Sequence, residues 1–272
     1  MYMRHVSLLI FLFALSQVCA ADDAAGQSKQ AGDAASKSSQ TEISGEELEV
    51  HGATLGRMGD PAVVDPSKVK FSEAESRLWM SNHLKNIKKP GRLYYKFHKS
   101  GTYEKGFDDS VYLDILKINK DGTKDTDLEF FTGPRRQPAS PGNLLGIRGN
   151  PVLGIYLQGD IIEMNRLTHG SWRYFQRSIK TAFAHNAKVV PVTIKYKGNK
   201  VKAEKITIQP YLNDPHRRQF KKFADKKYEF ILSQEIPGSI YEIKTVVPNE
   251  AHPDGKPLIM EKLTFQRADF KS

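Results

Sequence analysis

Eight runs of alternating apolar and polar residues, interrupted once by a pair of helical patterns, constrain what this 272-residue chain can fold into. The runs fall at 92–99, 110–119, 127–132, 189–197, 200–211, 228–234, 240–247 and 258–266. A period of two puts successive side chains on opposite faces, so each run offers one face to a core and one to water. Several of the joints are short and carry turn chemistry: Lys120-Asp121-Gly122-Thr123, Gly198-Asn199 and Pro237-Gly238-Ser239. Short joints make consecutive strands antiparallel neighbours. The pattern predicts an α+β fold, a curved, half-barrel-like antiparallel sheet of about eight strands packed against amphipathic helices.

The helical signals are equally local. Ser72-Glu73-Ala74-Glu75 is a capping box, followed by Met80, Leu84 and Ile87 at helical spacing and stopped by Pro90-Gly91. Asn150 before Pro151 reads as an N-cap and first helical residue, opening a stripe of Leu153, Leu157, Ile161 and Met164. His169-Gly170 breaks that helix. Ser171 caps a second one, in which Trp172, Phe175, Ile179, Ala182 and Phe183 share a face opposite Arg173, Arg177 and Lys180. A short basic helix is predicted from Asp214-Pro215 to about Lys226, with Phe220 and Phe223 turned inward. Residues 133–149, rich in Pro and Gly, read as a flexible connection long enough to serve as a lid or docking loop.

The first twenty residues read as a secretory signal: Arg4 and His5, an apolar stretch over 7–16, then Val18-Cys19-Ala20, with cleavage expected after Ala20. Val18 stands where a lipid-attachment signal carries a smaller residue, so Cys19, the only cysteine, is expected to leave with the peptide. Residues 21–65 read as a disordered acidic leader, and 66–272 as a single domain. Residues 1–50 hold three of the 41 basic residues and seven of the 31 acidic ones, so the remainder of the chain is more basic than the whole-chain charge of +10. The expected compartment is the periplasm or the exterior.

No chemical signature stands out. The histidines lack metal-ligand spacing, G-x-S-x-G is absent, and the glycines of 142–149 match no phosphate loop, so no metal and no cofactor is expected. Asp160, Glu163 and His169 are the candidates for an acid–base site, weighed against solvated ion pairs with Arg166 for the two carboxylates and a polar turn for the histidine. The unusual feature is clustered basic charge at Arg135-Arg136 and at Arg217, Arg218, Lys221 and Lys222. Such a patch suits nucleic acid in the cytosol. In an exported protein it suits anionic lipid, lipoprotein or acidic glycan, with peripheral membrane contact.

The layout also resembles a family. An export signal, a capped helix, and a meander carrying Leu113-Asp-Ile-Leu-Lys-Ile-Asn-Lys-Asp-Gly122 and Phe130-Phe-Thr-Gly-Pro-Arg-Arg136 is similar to the periplasmic half-barrel proteins that include LolA, LolB and RseB. The resemblance covers element order over 71–136 and, more loosely, the later strands. It implies a curved sheet wrapped over helices that handles an acyl chain or lipoprotein signal without covalent chemistry. The leading expectation is therefore a non-enzymatic binding or accessory protein of the envelope. A hydrolase-like enzyme and a structural adaptor are the alternatives.

Overall fold

The computed structural model describes residues 49–50, 53–54, 70–136 and 142–271. The expected signal peptide with its cleavage point lies outside the described residues, as does the acidic leader apart from a two-stranded ladder of β1 (Glu49–Val50) and β2 (Ala53–Thr54). Phe71–Ser272 forms a separate compact unit.

In that unit nine antiparallel strands make one curved open sheet: β3 (Gly91–Ser100), β4 (Phe107–Ile118), β5 (Lys124–Phe130), β6 (Gly142–Ile147), β7 (Lys188–Tyr196), β8 (Asn199–Ile208), β9 (Lys227–Leu232), β10 (Ile240–Val247) and β11 (Ile259–Phe270). All eight predicted strands are present. The ninth, β6, lies in the segment read as a flexible connection. Its glycines hid it: Gly146 sits at φ +65° beside a register shift between Lys124 and Thr126, and its N–H donates to the Asp125 carboxylate at 2.9 Å. A strand with such an irregularity loses the clean alternation that identifies strands in sequence.

The strand order is β6-β5-β4-β3-β11-β10-β9-β8-β7. The first meander starts centrally at β3 and steps out to the edge strand β6. The second starts at the other edge, β7, and steps inward until β11 pairs with β3. Between β6 and β7 the chain must therefore cross from one edge to the other. The crossing is the helical pair α2 (Pro151–Thr168) and α3 (Trp172–His185), with α1 (Glu73–Glu75) before the sheet and α4 (Arg217–Phe220) before β9.

The helices cover the inward face that alternation defines. Leu93, Tyr95 and Phe97 on β3, Val111, Leu113 and Ile115 on β4, Tyr228 and Phe230 on β9, and Leu263 and Phe265 on β11 are buried with Val152, Leu153, Ile161 and Met164 of α2 and Phe175, Ile179 and Phe183 of α3. Burying a side chain of this size contributes about 1.5–3 kcal/mol. Trp172, expected on the buried face of α3, is instead 36 % exposed at the helix start.

Three local expectations change. The Ser72 capping box forms, but the helix runs only through α1 and a π turn over Ser76–Met80. It stops because Ser81 Oγ donates to the Ser76 carbonyl (2.9 Å) and His83 Nε2 to that of Arg77 (2.7 Å), taking acceptors that a longer helix needs. The hairpin turn is Lys197-Gly198, both at positive φ, one position before the expected pair. The basic helix shrinks to the single turn α4 and a 3₁₀ turn over Lys221–Phe223, with Lys221 at φ 49° between them, although Phe220 and Phe223 do point inward.

One end of the half-barrel is held by Asn150, the N-cap of α2. Its side-chain oxygen accepts from Val152 N (3.2 Å), and its side-chain amide donates to Tyr95 Oη and to the Gly238 carbonyl, both at 2.9 Å. Its own N–H donates to His83 Nδ1 at 3.2 Å. The hairpin between β3 and β4 lies at the opposite end, where Glu104 meets Arg166 near the C-terminus of α2.

Candidate functional site

At that opposite end the inward-facing row of β3 runs Leu93, Tyr95, Phe97, Lys99, so alternation places a lysine where a core residue is due. Across the ladder its partner is Glu261, inward on β11 by the same rule. Lys99 Nζ lies 3.0 Å from Glu261, 2.8 Å from Glu163 on α2 and 3.4 Å from Glu104 in the β3–β4 hairpin. Arg166, one turn beyond Glu163, forks onto Glu163 (2.8 and 2.9 Å) and also reaches Glu104. Two cations and three carboxylates thus seal the core at this end.

Burial disfavours the Lys99 ammonium, but the Glu261 and Glu163 carboxylates outweigh it and hold the group above the ordinary lysine range. Burial likewise opposes ionisation of Glu163, yet hydrogen bonds from Arg166 and Lys99 bring it down to about 2. Both groups are fixed in their charged forms.

Above this seal opens a cleft of about 460 Å³ lined by Lys99, Glu104, Lys105, Phe107, Arg135, Glu163 and Arg166. One wall is aromatic. Phe107 packs on Phe97 (5.3 Å between centroids) and on Phe131 (5.6 Å), and the Arg135 guanidinium lies 3.8 Å from the centre of the Phe107 ring. Asp109 positions this wall: one of its carboxylate oxygens accepts the N–H groups of Thr132 (2.9 Å) and Gly133 (3.1 Å), with Phe131 at φ 68° just before them. Asp109 itself lies within β4 and caps the turn that follows β5, the neighbouring strand.

The two basic clusters, about eighty residues apart in sequence, converge on the β3–β4 hairpin. Arg135 covers Phe107, and Lys222 Nζ lies 3.5 Å from the centre of the Tyr103 ring. Their neighbours have other partners: Arg136 pairs with Glu129 at 2.9 Å, and Arg217 makes two bonds of 2.9 Å to Asp225. Arg218 and Lys221 are exposed.

The acid–base candidates do not form one site. Asp160, expected as a solvated helical carboxylate, is buried; it pairs with Lys226 and accepts from Tyr228 Oη at 2.7 Å, with Asp160 and Lys226 side chains 1 % and 2 % exposed. Lys226 is the exception in a basic run whose sequence reads as surface. Glu163 does pair with Arg166, as expected. His169 is the exposed left-handed C-cap of α2, at φ 57°. Among the described residues no group of three His, Cys, Asp or Glu side chains is arranged to hold a metal ion.

Sequence reasoning missed Lys99, Glu104, Lys105 and Glu261. Two of them carried a signal: extending the alternation of Leu93, Tyr95 and Phe97 by one step reaches Lys99, and that of Ile259, Leu263 and Phe265 includes Glu261. A charge at an inward position of a buried strand marks either a partner or a site. Glu104 and Lys105, in a hairpin loop, carried no such mark.

No protein-family model and no curated protein matches the chain. Among solved structures it is similar to the lipoprotein LppX of Mycobacterium tuberculosis, at 10 % identity and a TM-score of 0.31, covering 73 % of this chain and 95 % of that one. It is also similar to a LolA superfamily protein of Nitrosomonas europaea, at 9 % identity and a TM-score of 0.21, covering 73 % and 94 %. The chemistry of the mouth rests on its own residues.

Proposed function

We propose that this is an exported, non-enzymatic binding protein of the cell envelope that takes the headgroup of an anionic amphiphile in the mouth cleft. One observation carries this reading: Arg135 and Lys105 line the cleft without a carboxylate partner among the described residues, beside an aromatic wall, while both carboxylates of the cleft lining are engaged by Lys99 or Arg166. Two uncommitted cations beside Phe107 offer an anion charge and an adjoining hydrocarbon stem apolar contact. A lipid or lipoprotein headgroup has both parts; an acidic glycan has only the first.

Covalent chemistry is disfavoured by the same geometry. Glu163, accepting from two cations and titrating at about 2, has no proton to give at neutral pH and is a poor base. Asp160 is committed to Lys226 and Tyr228 inside the core. The test is calorimetric titration with short-chain phosphatidylglycerol against short-chain phosphatidylcholine. The anionic lipid should bind more tightly, and Arg135→Glu with Lys105→Glu should weaken it by about tenfold or more, as expected for a lost charge-assisted contact. Equal affinity for the two lipids, or an unaffected double variant, contradicts the reading.

A further inference from the structure

We infer that the rim around the mouth is a docking face that seats on the headgroup layer of an anionic bilayer, with Tyr103 and Trp172 as its interfacial anchors. The inference rests on the binding reading above and adds the surface from which the ligand is reached.

Three segments distant in sequence build this rim. The β3–β4 hairpin meets the segment before β9 where Tyr103 packs on Phe223 at 5.7 Å and Lys222 lies over its ring. That segment meets the tip of the helical pair where Tyr174 Oη donates to Asp214 (2.7 and 2.8 Å) and packs on Phe220 at 5.9 Å. The tip meets the hairpin through Arg166 and Glu104. Hairpin, loop and helix tip are thus joined by side-chain contacts into one continuous surface.

Its composition is that of a membrane–water interface. Tyr103 is 41 % and Trp172 36 % exposed, and these are the two side chains that concentrate at headgroup depth. Each ring carries a cation, Lys222 on Tyr103 and Arg173 at 4.7 Å from Trp172. Lys105, Arg135, Arg173, Arg218, Lys221 and Lys222 have no carboxylate partner among the described residues. Of the acids nearby, Glu104 and Glu163 are engaged by Lys99 and Arg166, Asp225 by Arg217 and Asp214 by Tyr174, while Glu250, beside Asp225, is exposed. A soluble polyanion would satisfy the cations and leave both rings in water. A bilayer surface satisfies both.

The chain has two tryptophans, which makes the test direct. Trp79→Phe leaves Trp172 on the rim; Trp172→Phe leaves Trp79, packed edge-on against Phe183 at 6.0 Å. With vesicles of phosphatidylglycerol and phosphatidylcholine, Trp172 emission should shift to the blue and be quenched by acyl-brominated lipid. Trp79 emission should not change, and pure phosphatidylcholine should have little effect. Arg218→Glu with Lys222→Glu should lower vesicle affinity by about tenfold or more while leaving short-chain lipid binding in the cleft intact. Vesicle association with unchanged Trp172 emission would overturn the docking face, since another segment would then be the anchor. Short-chain binding that is equal for the two lipids or unaffected in the Arg135 and Lys105 variant, with Trp172 quenching retained, would leave docking standing by itself, whereas cleft binding without Trp172 quenching would sink docking alone.

Discussion

Asn150 gathers four contacts in one place: it caps α2, ties β3 through Tyr95, ties the β9–β10 turn through Gly238, and offers its N–H to His83. That density makes its surroundings intolerant of added atoms. A Cβ at Gly238, which sits at φ +78°, would stand 2.8 Å from Asn150 Nδ2 and from Leu93 Cδ1. Gly238→Ala should cost about 2–4 kcal/mol through backbone strain and overpacking together, measured as a lower urea midpoint at unchanged slope.

His83 belongs to the same cluster. With Nδ1 accepting from Asn150 and Nε2 donating to Arg77, the ring must be neutral, and burial holds its pKa below the ordinary 6.5 despite the Arg77 bond. A depressed folded-state pKa means the stabilising contribution is complete above 6.5 and declines as pH falls through that value toward the folded-state one. Denaturant midpoints should therefore fall from pH 7.5 to 5, and His83→Gln should be less stable at pH 7.5 but flat across this window. A variant that keeps the slope assigns it elsewhere. At this scale the capping residues were legible in sequence because a cap is a contact between near neighbours; His83 was not, because its partner is 67 residues away.

Helix α2 is the element that joins the two ends. Asn150 anchors its start, Asp160 its middle and Glu163 its end, each against a different part of the chain. Its apolar stripe was readable from the spacing of Leu153, Leu157, Ile161 and Met164, all of which are buried. The burial of Asp160 was not, because a carboxylate on a helix looks the same whether it faces water or a lysine from the segment before β9. Breaking that pair from one side should be severe: Asp160→Leu or Lys226→Met should each lose about 3–5 kcal/mol, while the two substitutions together should recover most of it. Urea unfolding of the four proteins measures the coupling, and additive losses would mean that the pair is not the unit of stability. The strand β6 was hidden for another reason, since Gly146 breaks the alternation that reveals strands.

At the scale of the molecule, the sheet topology explains why the site is where it is. Two meanders that meet at β3 and β11 force the connection between their outer strands across the concave face, and the reversal of that connection, Thr168 to Trp172, arrives beside the β3–β4 hairpin. The eight alternating runs and the helical pair sufficed to foresee an α+β half-barrel. Which loops gather at one end depends on strand order, which alternation does not encode, so the two basic clusters could be named as residues but not assembled into a rim. Export belongs to this scale as well: protein recovered from the envelope fraction should have Ala21 as its first residue by intact mass, and a chain retaining 1–20 would remove the premise for an envelope ligand.

The central claim is that an anionic headgroup is held at the mouth rather than elsewhere on a basic surface. The most direct measurement is amide chemical-shift mapping by nuclear magnetic resonance during titration with short-chain phosphatidylglycerol. The expected shifts concentrate in 99–107, 131–136 and 163–168, with the Asn150 and Gly238 amides at the other end unmoved. Shifts spread over exposed lysines all round the molecule, or centred on the Asn150 end, would contradict it.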